Sequence, residues 1–332
     1  MPVSRHRRSA SWRLLLAAMA VSILLGGCDL RRETPPPAPR SPDAVELARQ
    51  GAAVDSRDLS ELVKAALPAT AADLRPALTT IGAHASAQLA QLGGVYVDPA
   101  ATPTSTGASA RPSASSTATP TALAPAALVA RLDQSSATTR TAALAATDGK
   151  LARLLASLSA DRIIQARELA GLASLPLPPL TTSAVPSTLP SGLATSAAVD
   201  LVAAEDEAGY AWEVSAALRT GTERDAARAR AAIHRDRAQA WAETAKVAAT
   251  AQDPRRVAYT IDRAAAATHL PADVETALAA RYSALVATIG VANRAVMVDA
   301  LADCAAAARL SGAPQTAFPG LPERPADPAA TP

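Results

Sequence analysis

The chain has 332 residues, 49% of them apolar, but only 2% are aromatic, while 87 are alanine. That balance excludes a β-sandwich, which needs aromatic and β-branched residues on half-buried strands, and equally a disulfide scaffold, a collagen-like repeat or a multi-span membrane protein. The formal charge of +2 is small, and what the composition favours is long, closely packed helices.

The first segment carries Arg5, Arg7, Arg8 and Arg13 without any acid, followed by an apolar run from Leu14 to Leu25. A membrane span needs about 20 apolar residues, so the run is too short to cross and suits the h-region of a secretory signal. It ends in Leu25-Gly26-Gly27-Cys28, which resembles the bacterial lipobox. The resemblance implies diacylglycerol on Cys28, cleavage after residue 27, and a chain held by lipid at the outer face of the cytoplasmic membrane. The Arg7-Arg8 pair leaves the Sec and twin-arginine routes both open, although Ser9-Ala10-Ser11 lacks the apolar residues that a twin-arginine signal places there. Without residues 1–27, 28 basic residues face 30 acidic ones, so the net charge becomes −2 and no basic block remains to attract nucleic acid. With Cys28 acylated, Cys304 has no disulfide partner.

Residues 28–42 read as a Pro-rich stalk. An N-terminal helical domain is expected over 43–175, with Ser41 as the first N-cap and a helix from about 74 that stops at Gly93-Gly94. From Asp98 to Pro125, 25 of 28 residues are Ala, Ser, Thr, Pro or Gly, a low-complexity insert that cannot bury a core. Five prolines within 176–192 mark a linker between domains. Beyond it, helical periodicity predicts four helices, at 195–220, 222–249, 271–289 and 292–310, followed by a disordered tail over 324–332. Their short, long, short connections are those of a bundle with a long middle crossover.

The stretch Ala203-Ala204-Glu205-Asp206-Glu207-Ala208-Gly209-Tyr210-Ala211-Trp212 resembles the opening of an actinobacterial ferritin-like domain of unknown function. So do Ala232-Ile233-His234-Arg235-Asp236-Arg237 and the ending Ala317-Phe318-Pro319-Gly320-Leu321-Pro322. The resemblance is strongest over 190–323 and implies an all-α fold: a ferritin-like four-helix bundle over 193–323, preceded by a second helical domain. It implies no established activity.

A di-iron bundle needs a Glu on each of two helices and Glu-x-x-His on the other two, all facing inward. Glu205 and His234 fall on inward faces, but Ala231 stands where the motif wants Glu, and the last helix has no His. Glu275 is a lone further candidate; Asp299 and Asp303 flank the apolar stripe of the last helix. Glu205 and His234 are therefore weak metal ligands and are expected instead to satisfy each other as a buried polar pair. Cys304 reads as an inert core thiol, His84 and His269 as singletons, and Tyr210, Trp212 and Trp241 as core. No nucleophile elbow, phosphate loop or Cys-x-x-Cys occurs. The expectation is an envelope lipoprotein without a cofactor or catalytic residues, binding the membrane through its lipid and either an envelope protein or a small ligand through its body. The competing class is an iron or manganese oxidase or storage protein.

Overall fold

The computed structural model describes residues 42–96 and 124–324. Cys28, the signal, the stalk up to Ser41, all but the end of the low-complexity insert and the tail beyond Arg324 lie outside them. Every regular element among the described residues is helical: α1 (Ala44–Ala66), α2 (Arg75–Gln91), α3 (Pro125–Ala145), α4 (Gly149–Leu172), α5 (Thr195–Ala217), α6 (Gly221–Thr244), α7 (Arg263–Ala267), α8 (Leu270–Val286) and α9 (Arg294–Leu310).

Local chemistry sets several boundaries. Asp43, not Ser41, caps α1 by accepting a hydrogen bond from the Glu46 amide at 2.8 Å. Asp148 accepts from the Leu151 amide at 2.7 Å and starts α4, separating it from α3. The expected long crossover is present as the segment from Ala245 to His269, interrupted by the single turn of α7. Asp206 of α5 anchors it, accepting from the Arg256 amide at 3.1 Å and the Tyr259 hydroxyl at 2.8 Å.

Two apolar clusters fill the interior. One joins α1 to α4 through Leu59, Val63, Leu78, Ile81, Leu132 and Leu169. The other joins α4 to the C-terminal helices through Leu155, Leu201, Trp241, Tyr282, Met297 and Leu301. Helix α4 belongs to both clusters, and every residue from Leu155 to Ala166 is buried. This departs from the expected division into two domains at 176–192: the described residues from Asp43 onward form one compact unit. The proline-rich segment is a strap laid along that body. Ser183 donates to Asp299 at 2.6 Å, Thr244 donates to the Pro186 carbonyl, and Gly290 N–H donates to the Ser191 carbonyl at 2.8 Å. Prolines suit such a strap because they bring no N–H that would need a partner.

The C-terminal segment closes the core, burying Ala317, Phe318 and Leu321. Gly320 permits this at φ +75°, where a Cβ would lie 2.5 Å from Leu301 Cδ1 and 2.9 Å from the Ala279 carbonyl oxygen. No other residue fits that position.

A single core spanning both halves makes a direct prediction. Leu155→Ala in α4 should lower stability by about 2–5 kcal/mol. The loss should appear in the near-UV signal of Trp241 and in total helix content as one coincident transition, and residues 190–323 alone should melt without cooperativity. Two separate transitions, with the tryptophan signal unmoved, would restore the two-domain reading.

Candidate functional site

Between α5, α6, α8 and α9 the interior holds polar side chains. Helix α6 carries Arg230, His234 and Arg237 at helical spacing, on the same face as Ala227, Ala231, Ala238 and Trp241. Facing them are Glu205 of α5, Glu275 and Tyr282 of α8, and Asp303 and Cys304 of α9.

The structure brings Glu205 and His234 together. His234 Nδ1 lies 2.6 Å from Glu205 Oε2, and both residues have no exposed surface. The pair is part of something larger, because His234 Nε2 lies 2.9 Å from Glu275 Oε1 on the opposite edge of the ring. Arg230 grips Glu275 with a two-pronged fork, Nε donating at 2.5 Å and Nη2 at 2.6 Å, and Trp212 Nε1 donates at 2.9 Å. Tyr282 donates its hydroxyl to Glu205 and accepts from Trp241 Nε1 at 3.3 Å. Asp303 accepts from both Arg230 and Arg237 at 2.7 Å. Three carboxylates thus face two guanidiniums and an imidazole in a water-poor interior.

The protonation states follow from that balance. Burial works against charge on His234, but its hydrogen bonds to Glu205 and Glu275 outweigh it and raise its pKa above the ordinary value. Two carboxylates on two ring nitrogens are both satisfied only by the doubly protonated ring. Burial pushes Glu275 up, yet the bonds from Arg230 and His234 pull its pKa down to about 2. Asp303 is likewise held below its usual range, burial being outweighed by Arg230 and Arg237. Burial drives the Cys304 thiol and the Tyr282 hydroxyl well above their ordinary values, Glu275 adding to the first and Glu205 to the second. The thiol therefore stays protonated and is a poor nucleophile, even with Arg230 and Arg237 nitrogens 3.8 Å from its sulfur.

These residues do not fit a metal centre. A histidine ligand needs one ring nitrogen free for the ion, whereas both nitrogens of His234 are engaged. Its two carboxylates sit on opposite edges of the ring, and the fork of Arg230 covers both oxygens of Glu275. Among the described residues, no group of three or more His, Cys, Asp or Glu side chains is placed to hold a metal ion.

Residues 197–323 match the model of a family described as a domain of unknown function, DUF4439. No curated protein and no solved structure matches the chain. The DUF4439 region contains the whole cluster and its crossover anchor, Asp206, whereas α1 to α4 lie outside it.

The remaining candidates lie elsewhere. Asp299 is not part of the cluster; Arg140 of α3 holds it at 2.6 and 2.9 Å. His84 is buried, with Nδ1 2.8 Å from Asp161 of α4. His269 is exposed and pairs with Asp273 at 2.5 Å. Sequence reading missed Arg230, Arg237 and Tyr282. Their signal was present in the spacing 230, 234, 237 on one helix and 275, 282 on another.

The titration has a defined direction. His234, with its raised pKa, stabilises the fold fully below the unfolded value of about 6.5, and this contribution is lost as pH climbs through the folded value. Glu275 contributes above about 4.5, and its contribution fades as pH falls toward about 2. Urea unfolding across pH should therefore show stability from this cluster peaking between about 4.5 and 6.5. His234→Gln should flatten the decline above that window, while a variant as pH-sensitive as the parent would refute the assignment.

Removing one partner is more severe. Arg230→Met strands Glu275 and Asp303 and should cost about 3–5 kcal/mol. His234→Ala should cost about 1–3 kcal/mol, and Glu205→Gln less, since the amide still meets the imidazole.

Proposed function

We propose that this chain is an exported lipoprotein of the cell envelope, anchored at the outer face of the cytoplasmic membrane by lipid on Cys28. Its body, on this reading, is a non-enzymatic binding module whose DUF4439 region has the ferritin-like arrangement. The Leu25-Gly26-Gly27-Cys28 sequence supports the anchor. No helix among the described residues is long and apolar enough to cross a membrane. One observation carries the non-enzymatic reading: the two fully buried carboxylates of the richest cluster of reactive groups are held by the protein's own side chains. Glu275 accepts from Arg230, His234 and Trp212, and Glu205 accepts from His234 and Tyr282. A metal-dependent oxidase or storage protein of the ferritin-like class would first have to dislodge Arg230 from Glu275.

Two measurements test this. Elemental analysis of the purified chain after incubation with iron or manganese should find substoichiometric metal; two equivalents, lost together in Glu205 and His234 variants, would establish the oxidase reading instead. In cells, Cys28→Ala should abolish incorporation of labelled lipid and leave a precursor or a released protein. A variant that remains membrane-bound at mature size would refute the anchor.

A further inference from the structure

Where α2, α4 and α9 meet, the surface opens into a cavity of about 580 Å³. Its walls include Pro76 and Ala77 of α2, Ile164 and Gly171 of α4, and Ala306 of α9. Leu172, Leu177 and Leu310 also line it while remaining 56%, 53% and 81% exposed. Three leucines left in water around one opening form an apolar patch of the kind that marks a binding surface. A second cavity of about 210 Å³ shares Ile164, Glu168, Arg309 and Gln315 with the first and extends to the buried His84–Asp161 pair. The Glu168–Arg309 ion pair, at 2.5 Å, stands in the wall common to both.

Two features give this space a chemical preference. At Gly171, on the exposed face of α4, a Cβ would meet nothing within 4 Å, so hydrocarbon can lie directly over the backbone. Arg167, one helical turn earlier, lines the same cavity and donates to the Pro178 carbonyl. Among the described residues it makes no ion pair with a carboxylate, whereas Arg309 beside it is neutralised by Glu168. An apolar trough with one unneutralised guanidinium matches a hydrocarbon chain bearing an anionic head.

We propose that this cavity binds a single-chain lipid anion of the fatty-acid class, its chain lying across Gly171 among the leucines and its carboxylate paired with Arg167. One apolar trough with one unneutralised guanidinium suits a single carboxylate-bearing chain, so the occupant is a free fatty acid and not a diacyl phospholipid. The proposal deepens the binding-module reading and rests on it.

The test uses the chain from residue 29 onward, which keeps the whole compact body and lacks the acylated Cys28. Dansyl-labelled undecanoic acid should bind saturably, one per chain, and be displaced by palmitate far better than by hexadecanol. Arg167→Gln should weaken palmitate about tenfold, the worth of one charge-assisted hydrogen bond, and leave hexadecanol unchanged. Gly171→Phe, which fills the open space over α4, should abolish binding of the probe. Thr80→Trp, entering from α2, provides the same block should the first variant lose its helical circular dichroism. Equal displacement by palmitate and hexadecanol would overturn the anionic head, and undiminished binding in both blocking variants would overturn the site. One-to-one extraction of phosphatidylglycerol from vesicles would overturn the single chain. Absence of any probe binding would overturn the proposal outright, while lipid labelling at Cys28 and metal content would still judge the envelope-module reading independently.

Discussion

Helix α4 has no solvent face between Leu155 and Ala166, and this constraint organises the molecule. A helix surrounded on all sides must satisfy each polar side chain through a different neighbour. Ser157 reaches the Pro319 carbonyl at 2.8 Å, Ser159 and Ser136 bond reciprocally with α3, Asp161 accepts from Gln88 of α2 at 2.6 Å, and Arg162 donates to Ser56 of α1 at 2.7 Å. One helix thereby fixes the rotation of its surroundings. The apolar positions between these polar ones do the same work less selectively: Ile163 and Leu169 serve one cluster, Leu155 and Leu158 the other.

The polar cluster of the C-terminal helices answers a second constraint. Alanine at 227, 231 and 238 lets helix backbones approach closely, so any long side chain on that face ends up deep inside. Arg230 and Arg237 are long, and once inside they demand carboxylates, which Glu275 and Asp303 provide. Buried ion pairs of this kind return little net stability, because desolvation offsets most of their attraction. They do penalise every alternative register, since a slipped helix would leave a charge unmatched. The cluster is better understood as a device that makes one packing unique than as a relic of metal chemistry, and the doubly engaged imidazole of His234 is its clearest sign.

Much of this was legible in the residues. The stripe Met297, Val298, Leu301, Cys304, Ala305 and Ala308 could be read as inward, and all six are buried. Glu205 and His234 could be paired because each falls on the apolar side of its helix. Arg230 and Arg237 escaped notice because α6 is densely charged, and periodicity averages a few buried cations into a solvated face. The boundary at 176–192 failed for a different reason. Proline reports that a segment is not helical, but it says nothing about whether the helices on either side share a core. Leu180, Val185 and Leu189, spaced along that segment and packed on the apolar interior, were the available warning.

The closing segment around Gly320 bears on how the chain is made. The interior beside Leu155 is completed by Tyr282, Leu301 and Phe318, which follow it by well over a hundred residues. Contacts so distant in sequence reward the chain only after a large entropic cost of loop closure. During synthesis, then, α1 to α4 can associate early, but the far side of α4 stays open to water until the segment around Phe318 has emerged. From the completion of α4 until the segment around Phe318 is made, the nascent chain carries a half-covered helix that must be kept from its neighbours. A stop codon in place of Gly320 would remove Gly320 and Leu321 and leave that exposure permanent.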